Sequence, residues 1–343
     1  MILSIIIPMR NEEYVVSRCL DSVLCQLEDI PNCEVFCVDG GSTDRTRQIV
    51  EQYTERDGRI YLIDNPQKIV PTAMNKAIRM SRGEFIIRLD CHAEYDRKYF
   101  LNCLEVIQRT GADNVGGYWT TLPTHDTRYG RAIAAATSSR FGVGDSIFRI
   151  GGGERTVDTV PFGCFRRNVF EKFGLYDERL TRNQDIELNA RIRKGGGRIV
   201  ISPKIQATYY NRSTFSGLLQ QSFFNGLWNP YTVYLTGGGL QIRHFVPLAF
   251  IMSIGVLAIS GILWKPSWAF LAAELLIYLA IGLPMAVKAA KEKSANFVLT
   301  FIAFIQLHLT YGAGFLWGLF LAPFKFGFGR TSDHLEVLPD RRN

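Results

Sequence analysis

Apolar positions along this 343-residue chain fall into two regimes, divided near His244. Before it, short apolar runs alternate with stretches of helical period. The runs at 3–8, 35–39, 59–63 and 85–89 are rich in β-branched residues and read as buried strands. Helical patterns follow at 13–27, 45–56, 70–82 and 95–109, with Pro71 in the first turn of the third and Gly83 after it. Further strands are expected at 113–121 and 160–166, and further helices at 131–139, 167–173 and 186–192. Strands alternating with helices at this spacing predict an α/β domain whose mostly parallel sheet is covered on both faces.

Beyond His244 the apolar residues gather at 245–264, 268–287 and 297–320. Each run reaches the roughly 20 residues needed to span hydrocarbon. Glu274 and His308 interrupt these runs and are expected to face protein or water. Lys265-Pro266 makes a hairpin of the first two. Residues 213–235 mix Phe215, Phe223, Phe224, Trp228, Tyr231 and Tyr234 with amides, which reads as an interfacial helix. The competing reading is the last packed helix of the soluble domain. The expected division is 1–212 soluble, 213–240 interfacial, 241–323 spanning and 324–343 tail.

Charge fixes an orientation. Lys288, Lys291 and Lys293 place the loop between the second and third spans in the cytosol, and with it the first domain. The expected location is therefore the inner membrane, multi-pass, with the soluble domain facing the cytoplasm. Three full spans would carry the C-terminus outside, against Lys325, Arg330, Arg341 and Arg342; a re-entrant third segment would remove the conflict, and the terminus stays undecided. The net charge of +7 comes with no basic stripe interleaved with aromatics, so no nucleic-acid partner is expected. It suits anionic lipid head groups instead. Seven cysteines without a C-x-x-C pair read as reduced thiols. Residues 1–8 are too short and too little charged for a signal peptide and read as a first strand.

Candidate chemistry sits where strands end. The run from Phe85 stops at Asp90, with His92 two residues on, and residues i and i+2 of a strand point the same way. A carboxylate and an imidazole converging there suit a divalent cation. The second strand ends in Asp39-Gly40-Gly41-Ser42, where glycines allow a tight turn and Asp39 can accept from a ribose or base. Neither the dinucleotide G-x-G-x-x-G spacing nor a P-loop is present, which disfavours ATP hydrolysis. Asp185 lies at a helix N-terminus, either as a cap or as a functional carboxylate kept ionised by the macrodipole. Residues 151–155 read as a surface loop, or as a lid that brings Arg155 near a phosphate.

Four features in this order resemble the family 2 glycosyltransferases of GT-A fold. They are Ile5-Ile6-Ile7-Pro8 with Asn11-Glu12, Val38-Asp39-Gly40-Gly41-Ser42-Thr43-Asp44, Asn75, and Asp90-Cys91-His92. The resemblance covers roughly residues 1–210. It implies a GT-A nucleotide-sugar-binding domain ahead of the α-helical transmembrane region. It assigns Pro8, Arg10, Glu12, Asp39, Gly41, Ser42, Asn75 and Asp90 to the nucleotide sugar, Asp90 and His92 to the metal, and Asp185 to the catalytic base. Phe162, Gly163, Cys164, Gln184 and Glu187 would lie on the acceptor side. His92 departs from the family's second acidic residue, and Gln184 from the usual Glu before the base. An imidazole ligand favours Mn²⁺ over Mg²⁺. The Asn183-Gln184-Asp185 segment, with 158–163 upstream, is similar to bacterial succinoglycan-type exopolysaccharide glucosyltransferases. The expected reaction is inverting transfer of a hexose from a UDP-sugar, with glucose favoured, to a polyprenyl-diphosphate-linked saccharide. The alternatives are a polyprenyl-phosphate sugar synthase, a processive synthase whose Gln-x-x-Arg-Trp motif is missing after Gln220-Gln221, and a non-catalytic nucleotide-sugar-binding protein.

Overall fold

The computed structural model describes residues 2–326 and 336–339. The strands are β1 (Leu3–Met9), β2 (Cys33–Asp39), β3 (Ile60–Asp64), β4 (Phe85–Arg88), β5 (Ala93–Tyr95), β6 (Asn114–Pro123), β7 (Arg155–Thr156), β8 (Cys164–Arg166) and β9 (Ile199–Asn211). The helices are α1 (Val16–Leu27), α2 (Thr46–Arg56), α3 (Val70–Met80), α4 (Tyr99–Thr110), α5 (Arg128–Thr137), α6 (Arg140–Val143), α7 (Ile147–Ile150), α8 (Asn168–Phe173), α9 (Gln184–Lys194), α10 (Phe215–Thr236), α11 (Val246–Leu263), α12 (Ser267–Glu292) and α13 (Phe297–Phe326). Two compact units result. One takes residues 2–120, 151–209 and 336–339, and the other 121–150 and 210–326. Residues 121–150, which the sequence groups with 1–212, fall in the second unit.

In the first unit every residue of β2, and all of β1 except Pro8, is buried, as central strands covered on both faces must be. The sheet runs β3-β2-β1-β4-β8-β6-β9-β5, with β7 on β9. β1 pairs in parallel with β2 and β4, and β2 with β3. β8 joins antiparallel to β4 and β6, and β5 and β7 antiparallel to β9. The sheet is therefore mixed, with parallel pairs among β1–β4. Strand order reverses between β1 and β4. In an open α/β sheet that switch point opens a crevice beyond the carboxyl ends of the strands. The polypeptide leaves β1 at Met9, β2 at Asp39 and β4 at Arg88, so three loops meet there. All seven cysteines are free thiols, and six of them are buried.

The second unit is helical. α11, α12 and α13 are each long and apolar enough to cross a membrane. α10 lies along α13 with a seam of glycines between them. A Cβ on Gly226 would sit 2.0 Å from the Tyr311 carbonyl, one on Gly314 2.1 Å from that of Phe223, and one on Gly318 2.4 Å from that of Leu227. Small residues at such positions let helix backbones approach closely. Trp228, Tyr231 and Leu235 of α10 are buried, so this helix is packed against its neighbour and does not present one bare aromatic face. Glu274 and His308 do not pair with each other. Glu274 accepts from Ser253 Oγ at 2.5 Å. His308 Nε2 lies 2.8 Å from the Phe141 carbonyl and Nδ1 2.8 Å from Tyr278 Oη. A carbonyl can only accept, so Nε2 carries the proton and Nδ1 accepts from the phenol.

Candidate active site

The loops after β1 and β2 are laced together by side chains. Asn11, at φ 56°, donates its N–H to Ser42 Oγ at 2.9 Å and accepts from Thr43 N at 2.8 Å through Oδ1. Glu12 N donates to Thr46 Oγ1 at 2.7 Å, and Glu13 N to Asp44 Oδ2 at 3.2 Å. Glu13 accepts from Arg45 N and Nε, both at 3.2 Å. The Arg45 N–H, and then its guanidinium, hold the Glu13 carboxyl below its ordinary value. Burial pushes Asp44 up, but the Thr46 hydroxyl and N–H outweigh it and the net shift is down.

Asp39 closes β2 and is buried, accepting from Ser42 N at 3.1 Å and Ser42 Oγ at 2.5 Å. Arg47 Nη1 approaches its Oδ2 at 3.7 Å. Gly41 has φ 71°, and a Cβ there would meet Lys68 Cε at 3.4 Å. Lys68 thus brings a cation to this loop. Pro8 is half-buried opposite Val38, and Arg10 is exposed beside Gly40.

β4 delivers the next group. Its last residue, Arg88, is nearly buried, at 11% side-chain exposure. Nη2 donates to Asp90 Oδ1 at 3.0 Å, and Nη1 lies 3.8 Å from Asp185 Oδ2. One guanidinium therefore stands between the two carboxylates that the sequence assigns to metal and base. Burial pushes Asp90 up, but Arg88 and then His92 outweigh it and hold the carboxyl below its usual range. Tyr95 Oη clamps the Asp90 backbone, accepting from its N–H at 2.8 Å and donating to its carbonyl at 3.0 Å. His92 Nδ1 lies 3.7 Å from Glu12 Oε1, and its ring meets Tyr209 edge-on at 5.2 Å.

Asp185 occupies the first turn of α9, and its Oδ1 accepts from Ile186 N at 2.9 Å. Its side chain is 39% exposed, so it is no buried carboxylate. Asn183 reaches α9 through a left-handed φ of 61°. Gln184 is buried, and its Oε1 finds no partner.

Several expected contacts lie elsewhere. Asn75 is buried with its amide engaged, donating to the Tyr176 carbonyl at 2.9 Å and Glu178 Oε1 at 2.8 Å and accepting from Tyr176 N at 2.9 Å. It reaches the site only through Tyr176, whose phenol is buried without a partner. Burial raises that phenol's pKa, and Arg88, Asp185 and Asp90 all act on it electrostatically. Cys164 is fully buried in β8 opposite Ile87, so it has no surface for an acceptor. Gly163 packs against Asn114 and Phe165, and its carbonyl accepts from Arg88 N at 3.0 Å. Phe162 packs edge-on to Tyr95 at 5.5 Å and so backs the residue that clamps Asp90. Glu187 is turned inward onto Arg191, at 2.5 and 2.7 Å. Arg88, Tyr176 and Lys68 were not singled out from the sequence. β4 ends at Arg88 and residues 91–92 form a turn, so the strand alternation read through Asp90 and His92 does not extend that far.

Residues 4–174 match the model of Glycosyl transferase family 2, and the chain belongs to that family. Among curated relatives, the succinoglycan biosynthesis protein ExoA of Rhizobium meliloti (strain 1021) is 29% identical over 91% of this chain and 93% of its own length. A dolichyl N-acetyl-alpha-D-glucosaminyl phosphate 3-beta-D-2,3-diacetamido-2,3-dideoxy-beta-D-glucuronosyltransferase of Methanococcus voltae is 25% identical over 76% and 82%. Among solved structures, the mannosyltransferase PcManGT of Pyrobaculum calidifontis, in complex with GDP-Man and Mn2+, aligns with TM-score 0.57 and 18% identity over 92% of this chain and 87% of its own. S. aureus TarS 1-349 in complex with UDP-GlcNAc aligns with TM-score 0.50 and 16% identity over 92% and 91%. The fold is GT-A-like, and the protein is a membrane-associated glycosyltransferase.

Proposed function

We propose that the protein transfers a single hexose, glucose from UDP-glucose in the favoured case, to a saccharide carried on a polyprenyl diphosphate. Transfer takes place at the cytoplasmic face of the inner membrane, inverts the anomeric carbon and serves exopolysaccharide assembly. The observation that carries this reading is the Arg88 guanidinium between Asp90 and Asp185, with His92 beside Glu12 on the loop after β1. The curated relatives lend support: one is named for succinoglycan biosynthesis and another for action on a dolichyl-linked sugar phosphate.

Asp39, with Pro8, Arg10, Glu12, Gly41 and Ser42, receives the nucleoside. Among the described residues no three His, Cys, Asp or Glu side chains form a metal cage. Asp90 and His92 nevertheless fit a divalent ion that takes its remaining ligands from diphosphate and water, and their mixed oxygen and nitrogen donors favour Mn²⁺. Such an ion would supply countercharge to the departing diphosphate. Asp185 accepts the proton of the acceptor hydroxyl as that oxygen bonds to the anomeric carbon. The carbon–diphosphate bond breaks on the opposite face and UDP leaves. An α-linked donor thus gives a β-glycoside.

Radiolabelled UDP- and GDP-sugars, offered with Mn²⁺ and lipid-linked saccharides of defined length to the detergent-solubilised protein, test this reading. Label from UDP-glucose should appear on one lipid-linked saccharide, one sugar longer. Long polymer would make it a processive synthase. Label on bare polyprenyl phosphate would overturn the acceptor assignment, and no transfer at all would favour a binding protein.

A further inference from the structure

The geometry points to Arg88 as a positioning residue that couples metal occupancy at Asp90 to the arming of Asp185. This inference rests on the assignments just proposed for those two carboxylates. Three observations carry it. First, one guanidinium serves both groups, bonded to Asp90 Oδ1 at 3.0 Å and standing 3.8 Å from Asp185 Oδ2. The second distance exceeds a hydrogen bond, so the pairing with Asp90 is tight and that with Asp185 is incomplete. Second, Arg88 Nε is buried without a partner, so the stem is not anchored by a bond of its own. Third, the phenol of Tyr176 is also buried without a partner, and Arg88, Asp185 and Asp90 all act on it electrostatically. Two unmet polar groups in so small a region are uncommon in a settled interior. They mark a cluster with a second arrangement open to it.

The consequence follows from charge alone. While Asp90 is bonded to Arg88, its lone pairs and its charge are partly committed. When Asp90 turns its carboxylate to a dication, the guanidinium loses that partner and is repelled. The nearest remaining anion is Asp185. Arg88 would then shorten its contact with Asp185 and hold that carboxylate in place for the acceptor. Transfer is thereby tied to a loaded donor site: Asp185 is held in place only after Asp90 has been taken.

This coupling makes a prediction that a purely structural arginine would not. Arg88 competes with the metal for Asp90, so its removal should tighten Mn²⁺ binding while slowing transfer. Manganese affinity, measured by the electron paramagnetic resonance of free Mn²⁺ on the full chain in detergent at neutral pH, reads the first arm. Arg88→Met should bind Mn²⁺ about tenfold more tightly, the order expected for removing one charge-assisted hydrogen bond to the ligand. Its transfer rate should fall at saturating Mn²⁺. Arg88→Lys keeps the charge and serves as the folding control, with affinity close to wild type. Asp185→Asn supplies a second test. Deprived of Asp185, Arg88 should hold Asp90 harder and weaken Mn²⁺ binding several-fold, and this effect should vanish in the Arg88→Met background. Unchanged or weakened Mn²⁺ binding in a folded Arg88→Met protein would overturn the coupling. If the wild type binds no Mn²⁺, or binds it independently of Asp90 in Asp90→Asn, the metal assignment itself has failed.

Discussion

Asn75 illustrates how a residue can matter to a site without touching what binds there. Its amide holds both backbone groups of Tyr176, placing the buried phenol beside Arg88 and Asp185. Asn75→Ala leaves those backbone groups without partners in the interior and should destabilise the fold by about 1–3 kcal/mol. The thermal unfolding midpoint in detergent reads this, and an unshifted midpoint would show the clamp to be dispensable. The laced loops carry a pH signature. Glu13 and Asp44 are both held below their ordinary values, so each contributes order that is complete above its unfolded pKa and is lost as pH falls through the lower folded value. UDP binding should therefore be flat from about pH 8 to 5 as far as this clasp is concerned, and fall below about pH 4. A loss already at pH 6 would assign the sensitivity to another group. At this scale the sequence was legible where chemistry is local: Asp39 ends β2 and Asp185 lies in the first turn of α9, as read, while Asp90 lies two residues beyond the end of β4. It was not legible where a side chain turns inward to a distant partner, as Glu187 does to Arg191 and Asn75 to Tyr176.

Among the elements, the first three strands and the long helices stand close to where periodicity puts them, because each is a long apolar run with clear turns. β5 and β7 escaped notice because each is only two or three residues long and exists through pairing with β9. β9 itself carries Pro203 and Lys204 in mid-strand, which breaks the apolar pattern. α4 begins at Tyr99, not at 95, because 93–95 belong to β5. The α10–α13 seam is a property of packing that only the structure reveals. A Cβ on Gly314 would strike the Phe223 carbonyl, a backbone atom that no rotamer change can move. Gly314→Ala should cost about 1–3 kcal/mol by overpacking, read as a lower unfolding midpoint in detergent. The same change at Gly255, which has open space around it, should leave the midpoint nearly unaltered. Equal effects at both positions would refute the seam.

For the whole molecule, the tail bears on the terminus that charge counting left undecided. Arg79 Nε donates to the Glu336 carboxylate at 2.9 Å, Leu175 N to the Glu336 carbonyl at 2.8 Å, and Leu338 N to the Phe170 carbonyl at 3.2 Å. Residues 336–339 thus pack on the glycosyltransferase unit, and the tail is predicted to share that unit's side of the membrane. An even number of crossings would satisfy that prediction, and α11 and α12 are each long and apolar enough to supply one. α13 is the most buried of the three candidate spans, with 28% of its apolar window inside the protein against 6% and 11% for the others. A fluorescent reporter joined behind Pro339 should light up in the cytoplasm, and a periplasmic reporter at that place should stay inactive; the reverse pattern would refute the docked tail. The central claim is that Asp185 is the base of an inverting transfer whose donor is held by Asp39, Asp90 and His92. Its most direct test is Asp185→Asn, with UDP binding and sugar transfer measured on one preparation. The account predicts UDP affinity within a few-fold of wild type and transfer reduced at least about a hundredfold. Transfer that survives, or UDP binding that disappears with it, would contradict the account.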